Sequence, residues 1–362
     1  MSKLVTPANQ QALQKGFALH EFESSSTQNI RGQEMTNLTQ LAINACVESL
    51  KIGYCQLYGT PLGLDDSPKS DYIEIVAAVA NLALSEIAGS DALYHDVEHT
   101  ILVTLVGQEI LRGKHQCEGN VSQEDWLHAL IALLCHDVGY VKGVCQQDQA
   151  QTRYFATATP QGMVQLPPGA TDASLTPYHV DRSKQFVIER LIECPWLDLQ
   201  RLQAYIELTR FPVPAGEAHQ DTENYPGLIR AADLIGQLAD PRYLQKLPAL
   251  FHEFEENGTN RCLGYHHPGE LRAGYPNFFK KVVCPYIQPA LQYLNQTAGG
   301  RQIVEQLYRN VAVVEQELQM GTDLLKEQPA PANRPNGGEF DKGDWLQLLY
   351  SGQTIRLRQT CH

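Results

Sequence analysis

No stretch of the 362-residue chain runs to about eighteen apolar residues, so no membrane-spanning helix is expected. The N-terminus, Met1-Ser2-Lys3-Leu4-Val5, soon turns polar and lacks the apolar core of a signal peptide. Nine cysteines occur without a CxxC pair or a regular framework. That usage excludes a disulfide scaffold and reads as reduced cytoplasmic thiols. Positive charge is scarce: 28 Lys and Arg stand against 41 Asp and Glu, for a net charge of −13. A protein of this charge does not coat a nucleic-acid polymer by neutralising phosphates. A small phosphorylated substrate is still open to it, because one local cation or a metal suffices. Alternation strong enough for a sheet of several strands is missing, and so is any internal repeat.

What is present is helical. Hydrophobic residues make up 43% of the chain, enough for a large core in one or two domains. Leu38, Leu41, Ala42, Ala45 and Leu50 fit one helix face, and Tyr72, Val76, Val79 and Leu82 another. Val97, Ile101, Leu105 and Val106 continue the pattern. Ser122-Gln123-Glu124-Asp125 resembles a capping box, and Leu127, Leu130, Ile131, Leu134 and Val138 follow at helical spacing, with Gly139 as the expected stop. Further helices are expected at 180–192, 200–208, 226–238 and 278–294, the last bent at Pro285 and Pro289, and then through Ile303, Leu307, Val311, Val314 and Leu318. The polar stretch 141–178 lacks a clear period and reads as a loop, either a lid over a site or an insertion without a role. Residues 328–338 have linker composition. Beyond them, Trp345, Leu346, Leu348, Leu349 and Tyr350 are too apolar for a free tail. They are expected to dock on the body or on a second copy, which makes a homodimer one outcome.

The chemistry sits in a few residues that break the apolar pattern. His136-Asp137 ends the apolar run Ala132-Leu133-Leu134-Cys135. A buried carboxylate is costly unless paired, and a divalent metal would partner both side chains at once. His95 and His99 are four apart, a spacing that stacks two rings on one helix face. Asp233 is a further carboxylate inside an apolar helical stretch, Arg230-Ala231-Ala232-Asp233-Leu234-Ile235. Mixed imidazole and carboxylate ligands suit zinc, iron, manganese or magnesium without choosing among them.

Tyr94-His95-Asp96-Val97-Glu98-His99, Ala132-Leu133-Leu134-Cys135-His136-Asp137-Val138, Ala232-Asp233-Leu234 and Phe278-Phe279-Lys280-Lys281 occur in that order. Together they resemble the HD-domain phosphohydrolases, above all their cyclic nucleotide phosphodiesterase branch, over roughly 72–294. The resemblance implies an all-α helical bundle. It divides the chain into an N-terminal helical region (1–70), a phosphohydrolase domain (71–327, with 141–178 as an insertion) and a C-terminal linker and docking segment (328–362). It also implies a divalent metal centre of two ions, with zinc, iron, manganese, magnesium and nickel as candidates. His99, His136, Asp137 and Asp233 would hold one metal, and Asp137 would bridge to the second. His95 would be the general acid that protonates the leaving oxygen.

The chain also departs from that branch. Asp96 replaces an Asn, Tyr140 replaces a His, and Thr176 falls where a Glu precedes paired histidines, with Tyr178-His179 in place of the pair. His179 is either a further direct ligand or a loop histidine. Tyr275 stands where a purine-reading Gln is expected, with Phe278 kept as an aromatic wall or as ordinary core. Among Lys142, Arg153, Arg182, Arg210 and Arg230, Arg182 is the first candidate for a phosphate contact. The leading expectation is therefore hydrolysis of a phosphodiester or phosphomonoester, with a nucleotide among the candidates. Two others are carried beside it: a regulatory ligand-binding protein with a structural metal, and a di-iron oxygenase on the same scaffold.

Overall fold

Every side chain from Trp126 to Cys135 is buried. A helix apolar all round is stable only when covered on all sides, and the rest of the fold provides that cover. The computed structural model describes residues 37–59 and 69–327. In chain order its α-helices are α1 (Asn37–Tyr58), α2 (Lys69–Ala88), α3 (Val97–Glu118), α4 (Gln123–Cys135), α5 (His179–Leu191), α6 (Leu199–Glu207), α7 (Tyr225–Leu238), α8 (Tyr243–Glu256), α9 (Thr259–Leu263), α10 (Pro268–Phe278), α11 (Cys284–Leu294) and α12 (Ala298–Glu327). The protein is all-α. Among the described residues, β pairing consists of a small antiparallel hairpin, β1 (Tyr154–Ala156) with β2 (Met163–Gln165), in which Phe155 faces Val164, and a single antiparallel bridge between Gln149 and Tyr154. None of the described helices is long and apolar enough to cross a membrane.

The central helix α4 touches α2, α3, α5, α6 and α7. Its start is the capping box read from the sequence: Ser122 Oγ accepts from Asp125 N at 3.0 Å, and Asp125 Oδ2 accepts from Ser122 N at 3.1 Å. Beside it, α3 and α7 approach so closely that a Cβ on Gly236 would lie 2.6 Å from Val103 Cα. Only glycine fits there. The contact brings Asp233, one turn before Gly236, beside His99, one turn before Val103.

Several expectations are corrected. The helix over 38–50 forms, but it buries Ile43, Cys46, Val47, Leu50 and Tyr54 and leaves Leu38 and Leu41 77% and 61% exposed. Apolar residues lie on both faces of α1, so spacing alone did not select the packed one. The single helix expected over 278–294 is broken into α10, a π turn at Phe279–Val283, and α11. Pro285 lacks an N–H and clashes with the carbonyl four residues back, and the wider turn relieves both. Helices α8, α9 and most of α10 were not anticipated. Pro248, inside α8, argues against a helix that Tyr243, Leu247, Leu250 and Phe251 nevertheless hold by burial.

The 141–178 stretch folds into the hairpin and a 3-10 segment, Asp172–Tyr178. The segments 1–36, 60–68 and 328–362 lie outside the described residues, including the docking expectation for Trp345 to Tyr350.

Candidate metal centre

Helix α3 begins at Val97, two residues after His95, the first of the paired histidines. Asp96 is its N-cap, and its Oδ1 accepts from His99 N at 2.9 Å. An Asp at this position satisfies a free amide and complements the helix dipole. His95 therefore lies before the helix. The two rings meet at 5.4 Å and 76° instead of stacking on one face, which corrects the expected i,i+4 geometry.

The doublet is placed by the end of α4. The helix stops at Cys135, four residues before the expected glycine, and Asp137 turns the chain into a 3-10 turn over Val138–Tyr140. Gly139 has a different use: a Cβ there would lie 2.0 Å from the His179 carbonyl oxygen. The turn is thereby pressed against the start of α5. Ser183 fastens the two, its Oγ donating to the His136 carbonyl at 2.7 Å and accepting from Gly139 N at 2.9 Å.

Four side chains converge at this point. His99 Nε2 and His136 Nε2 each lie 3.1 Å from Asp137 Oδ2, and 3.7 and 3.6 Å from Asp233 Oδ1. Donors around one ion with bonds of about 2.1 Å sit roughly 3.0–3.4 Å apart, close to these separations. His99, His136 and Asp137 form a buried cluster that could hold a metal ion.

The tautomers point the same way. His136 Nδ1 lies 2.7 Å from the Leu133 carbonyl, and a carbonyl only accepts, so Nδ1 carries the proton. In the neutral ring Nε2 is then a lone pair, and it is buried without a hydrogen-bond partner. Burial opposes a charged His136 ring, yet Asp137 and Asp233 outweigh it and hold the pKa well above the ordinary value. Burial likewise disfavours the Asp137 carboxylate, and His136 and His99 overcome it, pulling its pKa well down. A positive charge therefore belongs between these groups, either a proton or a cation.

His179 opens α5. Its Nδ1 donates to the Thr176 carbonyl at 2.6 Å, and its Nε2 lies 3.8 Å from Asp137 Oδ1. Burial lowers its pKa despite the neighbouring Asp137, so a neutral ring turns its lone pair toward the second oxygen of Asp137.

His95 is held by a residue that the sequence reading missed. Glu253, buried on α8, places Oε2 2.6 Å from His95 Nδ1, and its Oε1 accepts from Tyr94 N at 2.6 Å. Burial works against the imidazolium, but Glu253, with Asp137 and Asp233 behind it, pushes its pKa up to about 9. The available signal was weaker than for Asp233: Glu253 interrupts the apolar run Leu250-Phe251-His252-Glu253-Phe254, but Glu255 and Glu256 follow it directly. The Tyr140 ring is stacked between His95 and His179, at 4.5 Å and 4.4 Å.

The proposed substrate contacts fare differently. Arg182 is fully buried and is a structural rivet: it donates to the carbonyls of Gly139, Val141 and Ala156 and to both oxygens of Asp148. It has no donor left for a phosphate. Lys142 is held by Asp91, Asp172 and the Ala170 carbonyl, Arg210 by Glu207 and Asp181, and Arg230 by the His219 and Asp221 carbonyls. Arg153 bonds the Leu166 carbonyl on the hairpin. Tyr275 is core, against Tyr243 and Phe279, and Phe278 is half-buried with its edge on Phe211.

The chain belongs to the Npun_R2479-like family, whose model matches residues 36–317. That span contains every residue of the cluster, and Glu253 and His179 as well. No curated protein matches the chain.

Proposed function

We propose that this member of the Npun_R2479-like family is a metal-dependent phosphohydrolase of the HD-domain type, cleaving a small phosphate ester. The observation that carries the reading is His136 Nε2, a buried nitrogen outside any hydrogen bond, 3.1 Å from the Asp137 carboxylate and beside His99 and Asp233. His99, His136, Asp137 and Asp233 would hold the metal. Asp137 presents Oδ2 to His99 and His136 and Oδ1 to His179, so both of its oxygens would be available to metal, and His179 would be a further ligand on the Oδ1 side. Divalent metal here supplies an acidified water and a screen for phosphoryl charge.

The chain's own residues supply the proton. Glu253 fixes His95 through Nδ1 and keeps the ring protonated at neutral pH, which leaves Nε2–H to serve the leaving oxygen. Lys142, Arg182, Arg210 and Arg230 are committed to protein partners, and Arg153 lies exposed on the hairpin. Neutralisation then falls to the metal and the His95 imidazolium, which favours a phosphodiester with one negative charge over a doubly charged monoester. Purified protein supplied with divalent metals is expected to hydrolyse bis-p-nitrophenyl phosphate faster than p-nitrophenyl phosphate, and to stop on chelation. An Asp137→Ala variant that kept both metal and full activity would overturn the reading.

A further inference from the structure

Two of the positions at which the chain departs from the phosphodiesterase pattern, Tyr140 and Thr176, form one unit with His95 and His179. Tyr140 is buried, with 3% of its surface exposed. One face of its ring lies on His95 at 4.5 Å and 14°, the other on His179 at 4.4 Å and 23°. Both are nearly parallel stacks, and the three rings form a column. Thr176 ties the column down. Its carbonyl accepts from His179 Nδ1. Its Oγ1 donates to the Ala173 carbonyl at 2.6 Å and meets the Tyr140 hydroxyl.

An imidazole anchored only through Nδ1 can still rock about its Cβ–Cγ bond. Glu253 fixes His95 at one atom. A second contact over the flat face of the ring is what prevents that motion. The column also fixes His95 relative to Asp137, because His179, at its other end, faces Asp137 Oδ1.

We propose that Tyr140 is a positioning residue for His95. Its aromatic face, clamped by Thr176 and His179, sets the orientation of the proton donor relative to the metal cluster. The role of His95 as donor rests on the phosphohydrolase reading; the placement of its ring does not. Tyr140 meets His95 and His179 through its ring faces and, on this account, does not touch the substrate. Its loss should lower kcat and leave KM and the metal held by His99, His136, Asp137 and Asp233 alone.

The test compares Y140L, which fills the space without a π face, with Y140F, which keeps the face and drops the hydroxyl. Y140L is expected to lose roughly 10- to 100-fold in kcat, the scale of a misplaced catalytic group, with KM and bound metal unchanged. Y140F is expected to keep most of kcat. The proposal is overturned if Y140L matches wild type, if Y140F falls as far as Y140L, or if Y140L loses its metal. A separate readout needs neither turnover nor a variant. In wild type the His95 ring protons should be shifted upfield by the stacked Tyr140 ring in proton NMR, and absence of that shift also overturns the proposal. If wild type cleaves no phosphate ester, the functional reading fails, and the NMR shift still decides whether Tyr140 holds the ring.

Discussion

Two buried polar clusters lie on either side of the turn that follows α4, and they are built on opposite rules. Around Arg182, donors and acceptors match: the guanidinium meets three carbonyls and both oxygens of Asp148, and Asp148 also accepts from the amides of Gly143, Cys145 and Ala156. Around Asp137, imidazole Nε2 atoms of His136 and His179 are turned toward carboxylate oxygens, and the group is short of positive charge until a proton or a cation enters. A closed network stabilises by satisfying every group. An open one is costly unless a charge is added from outside. The contrast separates a charge that holds the fold from charges that, on the proposed function, take a cation, and the Arg182–Asp148 pair is the more deeply buried of the two.

The sharpest way to break the comparison is to open the closed cluster. Asp148→Ala leaves the Arg182 charge buried without its carboxylate. It should cost about 3–5 kcal/mol of stability, seen as a large fall in the denaturation midpoint. A change below about 1 kcal/mol would mean that Arg182 is not the rivet described here. Filling the open cluster should act in the other direction. Divalent metal at about 100 times its Kd should stabilise wild type by roughly 2.7 kcal/mol, and this gain should vanish in Asp137→Ala.

A smaller effect concerns protons. The pKa of His95 is raised above its ordinary 6.5, to about 9. Its contribution to stability is therefore fully present below about 6.5 and is lost as pH rises through about 9. In metal-free protein, NMR titration of His95 should show this raised value, and Glu253→Gln should move it downward. With metal bound, the alkaline limb of hydrolysis should move to lower pH in the same variant. An unmoved limb would separate Glu253 from the proton donor. The smallest effect is expected at Glu207, away from the metal cluster. Burial would raise its pKa, but Arg210 and Lys184 outweigh that and hold it at about 2. Its stabilisation is present above about 4.5 and fades as pH falls toward 2. Glu207→Gln should cost about 1 kcal/mol at neutral pH, and the cost should disappear in acid.

How much of this was legible in the sequence follows the range of the forces involved. Local signals read well: the Ser122–Asp125 capping box, the apolar run 129–135 of α4, and the His136-Asp137 doublet that ends it are each set within a few residues. Asp96 was local too, but it reads as an altered metal-shell residue until its cap to His99 N is seen. Contacts across long sequence separations did not read. Arg182 looked available for phosphate because its partner Asp148 is 34 positions away, and no composition signal pairs the two. Glu253 is 158 positions from His95, on a helix that Pro248 disguised. On α1, apolar residues on both faces left the choice of buried side to the neighbours it packs against.

Elemental analysis of untagged protein, wild type beside Asp137→Ala, tests the central claim most directly. The account predicts divalent metal in stoichiometric or greater amount in wild type and little or none in the variant, with both chains folded. Wild type that binds no metal when supplied with zinc, iron, manganese, magnesium or nickel, or a variant that binds as much as wild type, would contradict it.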